Sequence, residues 1–164
     1  MYTKKFEVRW SDMDANRHLA NSSYINFMSH TRMSLFLDSG LTHKMMVEHQ
    51  LGPVVFHEHI YYFKEVLPGT PVTVTVEFKG MSANGTLFEF HHNFYDREGR
   101  NLAHSEMMGG WINSETRRLT NLHEEPLAVF NGMEKAADFR VLTSADTRKY
   151  GKRPQDISPE VLGE

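Results

Sequence analysis

The sequence contains no cysteine, and that absence excludes disulfides, thiolate-ligated zinc and a cysteine nucleophile together. Long apolar runs are missing too: none approaches the roughly 18 residues a helix needs to cross a bilayer. Nor is positive charge in excess. Lys and Arg number 18 against 21 Asp and Glu, a formal net charge of −3, so nothing suggests the basic stripe of a nucleic-acid binder. Neither a phosphate-cradling Walker loop nor a dinucleotide fingerprint occurs. Residues Met1 to Val8 run into a strand pattern, not into the apolar stretch of a signal peptide, and with the missing cysteine this makes a cytoplasmic location the expectation. What is present is a chain of 164 residues, 40% hydrophobic, long enough for one domain with a buried core. It is unusual only in its ten histidines and ten methionines.

The periodicities lay out the elements. Phe6, Val8 and Trp10 alternate with Glu7 and Arg9, a first strand. The polar stretch Ser11 to His18 breaks that period. After Asn21 the spacing turns helical, with Tyr24, Phe27, Met28, Thr31 and Leu35 on one side and Ile25, Arg32 and Phe36 flanking. Asn21, Ser22 and Ser23 are all suitable N-caps, and Gly40 suits the residue after the helix end. A short helical or irregular piece is expected from His43 to Leu51. Strands follow over Val54 to Val66, Val72 to Lys79, Phe88 to Phe94 and Leu102 to Ile112, with turns at Pro68-Gly69, Asn84-Gly85 and Arg97 to Arg100. Gly109-Gly110 inside the last strand implies a bulge or a second backbone passing close. Leu127 to Ala137 reads as weakly helical. The division expected is a domain over residues 1–135 and a polar, partly disordered arm over 136–164. One long buried helix on an antiparallel sheet is an α+β layer pair, and its free edge and open face are most easily hidden by a second copy.

The run Val8-Arg-Trp-Ser-Asp-Met-Asp-Ala-Asn-Arg-His-Leu-Ala-Asn-Ser-Ser-Tyr24 resembles the loop that leads into the helix of hotdog-fold acyl thioesterases, both the 4-hydroxybenzoyl-CoA type and the acyl-carrier-protein type. The likeness extends more coarsely through the helix, Ile60-x-Tyr62 and Pro68-Gly69, over roughly residues 3 to 115. It implies a hotdog fold, a long central helix wrapped by an antiparallel sheet of about five strands, and hydrolysis of an acyl-CoA or acyl-carrier-protein thioester to acid and thiol. The second aspartate of the pair, Asp14, is then the catalytic carboxylate, acting as nucleophile or as base for water. Asp14, Asn16 and His18 match the Asp-x-Asn-x-His spacing of the plant acyl-carrier-protein enzymes, in which Asn16 would orient substrate or carboxylate and His18 would assist water activation. Where many bacterial members carry a histidine seven residues after the aspartate, this chain has Asn21. The unpaired N–H groups at the start of the helix are suited to a developing oxyanion, and those of Asn21 and Ser22 are assigned that role. Tyr24 is expected to wall the acyl pocket. His57 and His59 are expected to line the cleft beside a partner's Asp14, because hotdog sites lie between subunits, and Lys79 is expected near the nucleotide. A homodimer or dimer of dimers follows. No cofactor is expected, since CoA or phosphopantetheine arrives as part of the substrate.

Competing readings attach to the same residues. Asp14 also suits a turn, Asp12 a loop-bonding carboxylate, Asn16 a position of positive φ, and His18 a packed structural role. His57-x-His59 with Glu65, and His91, His92 and His104, match no metal-ligand spacing, so no metal is expected. Two other functions share the fold. Hotdog hydratases use Asp-x-Asn-Pro-x-His, but here no proline follows Asn16 and the histidine comes one residue early. A domain that binds acyl thioesters without turning them over is the second alternative.

Overall fold

The computed structural model describes residues 1–163. Helix α1 (Asn21–Asp38) forms where the apolar spacing demands it, burying Tyr24, Phe27, Met28, Thr31, Arg32 and Phe36. Gly40, at φ +98°, lets the chain leave the helix, a backbone conformation other residues adopt at a cost. The N-cap is Ala20, one residue before the three expected caps. Its extended backbone is held by an N–H bond to the Asp12 carbonyl at 2.9 Å, and Ser23 Oγ donates to that same carbonyl. These two bonds fix the path by which the chain enters the helix, while the Ala20 side chain makes no capping bond.

The remaining elements are β1 (Tyr2–Phe6), α2 (His43–Glu48), β2 (Leu51–Tyr62), β3 (Val72–Ser82), β4 (Leu87–Tyr95), β5 (Asn101–Asn113), α3 (Glu124–Gly132) and β6 (Lys135–Leu142). Strands β1-β3-β4-β5-β2 are antiparallel in that order, and β6 adds to β3 in parallel beyond the end of β1. The expected fold stands: an α+β hotdog arrangement in which one long helix lies on an antiparallel sheet. Its inner face carries Val76, Phe78, Phe90, Met107 and Trp111, packed around Phe36 of α1 and Phe130 of α3. Toward the other end of α1, Tyr24, Phe27 and Met28 meet Val74 and Phe94. Among the described residues no helix is long and apolar enough to cross a membrane.

Two corrections concern the C-terminal part. The helix expected over Leu127 to Ala137 ends at Gly132, and residues 136–142, expected as the start of a polar arm, belong to a sixth strand. The alternation of β6 is hidden because only Phe139 and Leu142 anchor it, Phe139 against Phe78 at 5.1 Å between ring centroids. Leu142 joins Leu87 and Met108 in a small apolar cluster on the outer face of the sheet, away from α1. From there the chain crosses that face. Arg140 bonds Glu89 of β4 at 2.7 Å, Lys149 bridges Glu89 and Glu106 of β5, and Tyr150 stacks on His59 of β2 at 3.9 Å.

The glycines of β5 are explained by proximity. A Cβ on Gly109 would stand 2.4 Å from the Val54 carbonyl oxygen and 2.6 Å from the Phe88 ring. One on Gly110 would strike the ring of Phe56, the extra residue of a bulge in β2 between Val55 and His57. Gly109→Ala should therefore cost about 3 kcal/mol or more, because the nearest atom is backbone that cannot move aside. Urea unfolding checks this; an unchanged midpoint would contradict the close approach.

Glu89 is 4% exposed, and the neighbouring His91, with Arg140 and Lys149, holds its carboxyl down at about 2. A depressed carboxyl stabilises the fold above its ordinary value and loses that contribution as the pH falls through its folded value. The C-terminal crossing should thus loosen as pH falls from about 4.5 toward 2. Hydrogen exchange of residues 140–150 against pH measures it, and Glu89→Gln should bring the loosening to neutral pH.

Candidate active site

The loop between β1 and α1 is a tight turn that fixes one carboxylate. The Asp14 N–H donates to the His18 carbonyl at 2.9 Å and the Arg17 N–H to the Asp14 carbonyl at 3.1 Å, with Arg17 in the left-handed region at φ +62°. Asp14 Oδ1 accepts the backbone N–H groups of Asn16 at 2.8 Å and His18 at 3.1 Å. Asp14 Oδ2 takes no partner among the described residues. The turn is pinned to the loop between β2 and β3 by the Leu19 N–H on the Val66 carbonyl at 2.8 Å. The turn reading of Asp14 holds, and it leaves the second oxygen available: Oδ1 builds the turn and Oδ2 has no partner among the described residues. Asp12 is the loop-bonding carboxylate expected, accepting from the Arg9 side chain and backbone.

Asp14 stands at the mouth of a cleft of about 360 Å³, lined also by His18, Asn21, Tyr24, Tyr62 and Phe63. Tyr24 forms the buried wall, edge-on to Tyr62 at 5.0 Å, and burial followed by the neighbouring Tyr62 raises its hydroxyl to about 12, so it stays protonated. His18 Nε2 lies 2.8 Å from Glu65 Oε2. Glu65 suits a second carboxylate from this region or a solvated or structural role, and its contact with His18 comes from the loop after β2 running beside the turn. Asn16 contributes its backbone N–H; its exposed side chain has no partner among the described residues.

The helix start divides the two expected oxyanion donors. The Asn21 N–H has no acceptor among the described residues, whereas the Ser22 N–H is covered by Asn21 Oδ1 at 2.9 Å. Of the two expected donors only the Asn21 N–H is unpaired among the described residues, on a residue that lines the cleft.

His57 and His59, expected beside a partner's Asp14, and Lys79, expected near the nucleotide, do not line the cleft at the Asp14 of their own chain. His57 and His59 point to the outer face of the sheet, packed against Tyr150, because strand alternation sends the intervening Glu58 inward. Lys79 lies on that outer face too, bonded to Asp138 at 2.6 Å and Glu77 at 3.3 Å. These cations and imidazoles serve the sheet's outer surface. Among the described residues no cluster of His, Asp and Glu is arranged to hold a metal.

The inward Glu58 leads to a feature the residue pattern only hinted at, an arginine beside the apolar stripe of α1. Arg32 Nη1 meets Glu58 Oε1 at 3.1 Å and the Nε2 of the fully buried His92 at 3.4 Å, while Nη2 donates to Ser29 Oγ. Burial, then the adjacent Arg32, pushes the His92 imidazole well below its ordinary value, so it is neutral and accepts from the arginine.

Comparison with known proteins agrees with this geometry. Solved structures with the same fold include a probable thioesterase, YbaW from Escherichia coli, at 20% identity and TM-score 0.68, covering 79% of this chain and 96% of that one. A 1,4-dihydroxy-2-naphthoyl-CoA thioesterase from Synechocystis matches at 14% and 0.70, over 80% of this chain and 96% of that one. The SAV2348 protein from Staphylococcus aureus, solved in complex with CoA, matches at 20% and 0.72, over 99% and 92%. A search of curated proteins finds no match. The model of the thioesterase-like superfamily matches residues 8–162, and with the loop, helix and sheet in place the chain belongs to that superfamily.

Proposed function

We propose that this protein hydrolyses an acyl-CoA thioester, with Asp14 as the catalytic carboxylate. The observation that carries the reading is the division of labour at Asp14: Oδ1 is committed to two backbone N–H groups and Oδ2 is free at a cleft beside the unpaired Asn21 N–H. A thioester carbonyl accepting from Asn21 would present its carbon toward Asp14. The carboxylate then takes a proton from water as water attacks that carbon, or attacks it directly and is regenerated by water. In either route the C–S bond breaks, the thiolate leaves and is protonated, and acid and thiol are the products. His18, held by Glu65, is assigned to positioning the water. Membership of the thioesterase-like superfamily supports the reaction class, and the CoA complex of the Staphylococcus protein supports CoA over an acyl carrier protein as the thiol carrier.

We also assign the active form to a homodimer. Strand β2 is a 12-residue sheet edge bearing exposed Val55, Phe56, Tyr61 and Tyr62. An edge of that length and character is a hazard unless covered, and a second β2 in antiparallel register covers it at least cost. Tyr62 and Phe63, which line the cleft, then border the partner.

Asp14→Asn keeps an oxygen acceptor for the turn and removes the base. It should fold as the wild type does and lose at least about a hundredfold in thiol release across a panel of aliphatic and aryl CoA thioesters. Asp14→Ala should lose activity likewise and in addition about 1 kcal/mol of stability, since two backbone donors lose their acceptor. Near-normal turnover by the Asn variant would sink the assignment. Double-bond hydration without thiol release would favour a hydratase, and tight binding without turnover a binding protein.

A further inference from the structure

The C-terminal crossing has a direction. It passes β4 at Glu89, then β5 at Glu106, then β2 at His57 and His59, where Tyr150 lies. Strand β2 is the free edge of the sheet, so Tyr150 stands at the edge from which the described chain goes on to residue 163, after a turn closed by the Gly151 N–H on the Arg148 carbonyl at 2.8 Å. Residues 151–163 are exposed throughout, including Ile157 at 60%, Val161 at 74% and Leu162 at 65%. Three aliphatic side chains within six positions, left in water on the segment that follows the sheet edge, lack a covering partner among the described residues.

We propose that residues 151–163 of each protomer lie on the outer sheet face of a second copy. This rests on the β2-to-β2 dimer assigned above. Two antiparallel edge strands joined in one sheet are related by a two-fold axis perpendicular to that sheet. The outer face of one protomer therefore runs without a step into the outer face of the other. A chain leaving across β2 at Tyr150 arrives on the partner's β2. There the outward side chains include Phe56, beside Gly110, and Tyr61, stacked on His104, with exposures of 37% and 48%. Ile157, Val161 and Leu162 supply the apolar surface that these aromatic rings lack. The occupant is a second copy because the route, the open edge and both apolar surfaces belong to this one sequence. The two arms pass each other near the axis, each anchored at home by Lys149 and Tyr150 and seated abroad by its aliphatic residues.

The natural absence of cysteine makes the test clean. Full chain, a chain ending at Tyr150, and a full chain carrying Ile157→Ser, Val161→Ser and Leu162→Ser are compared by sedimentation over a dilution series. Both altered proteins should form dimers at least about tenfold weaker than the full chain, the effect of returning one aliphatic side chain per arm to water. Chains bearing only Ile157→Cys and chains bearing only Tyr61→Cys are also mixed, allowed to exchange subunits and oxidised. A mixed disulfide is expected. Equal dimer strength in all three proteins, or no bond between mixed chains while a chain carrying both Ile157→Cys and Tyr61→Cys closes one within itself, overturns the proposal. A full chain that stays monomeric overturns instead the dimer on which it rests.

Discussion

Helix α1 can lie on its sheet in only one way because its middle carries a charge. Arg32 is buried among apolar neighbours, and a buried guanidinium without a partner is strongly destabilising. Glu58 supplies the countercharge from β2 and His92 an acceptor from β4, so a single side chain ties the helix to two strands. Sliding the helix by one turn would leave Arg32, Glu58 and the neutral His92 all unmatched. Apolar packing alone tolerates such shifts far better. The ion pair thus sets where the N-terminus of α1 falls, and that position brings Asn21 beside the turn of Asp14.

The site itself is built mainly from backbone. The Asp14 turn closes on main-chain bonds and on the two backbone N–H groups held by Asp14 Oδ1, the Leu19 N–H ties it to the Val66 carbonyl in the segment after β2, and the cap residue, Ala20, contributes no side-chain bond. The side chains left open to the cleft are few: the second oxygen of Asp14, and His18 with Glu65 behind it. A loop held this way keeps its carboxylate in place without burying it, so the group stays open to water and to substrate alike.

Much of this was legible in the residues, and the failures share a cause. The turn, the long helix and the close approach at Gly109 all follow from local signals: an Asp-rich polar break, a helical apolar stripe, and a pair of glycines inside a strand. Contacts that depend on which face a strand presents did not. The bulge at Phe56 resets the alternation of β2, so His57 and His59 could not be assigned to a face by counting from the start of the strand. Lys79 suits either a nucleotide or an ion pair until Asp138 arrives from a strand 59 positions away. The strand bringing it, β6, is nearly patternless because it needs only two apolar anchors at an edge. Ser22 was misjudged on a smaller scale: nothing in the residue order says that the Asn21 side chain folds back over the next N–H.

The parallel pairing of β6 with β3 also bears on how the molecule is made. Antiparallel neighbours such as β3 and β4 close through a short turn as soon as both are synthesised, but β6 docks on a strand more than fifty residues upstream, after α3. Until then the upper edge of β3 and the Leu87–Met108 patch stand uncovered on the ribosome-bound chain. The last quarter of the sequence is what seals that edge. Assembly therefore finishes at the C-terminus, with the side of the sheet opposite β2 closed by the chain's own late strand while β2 is left open.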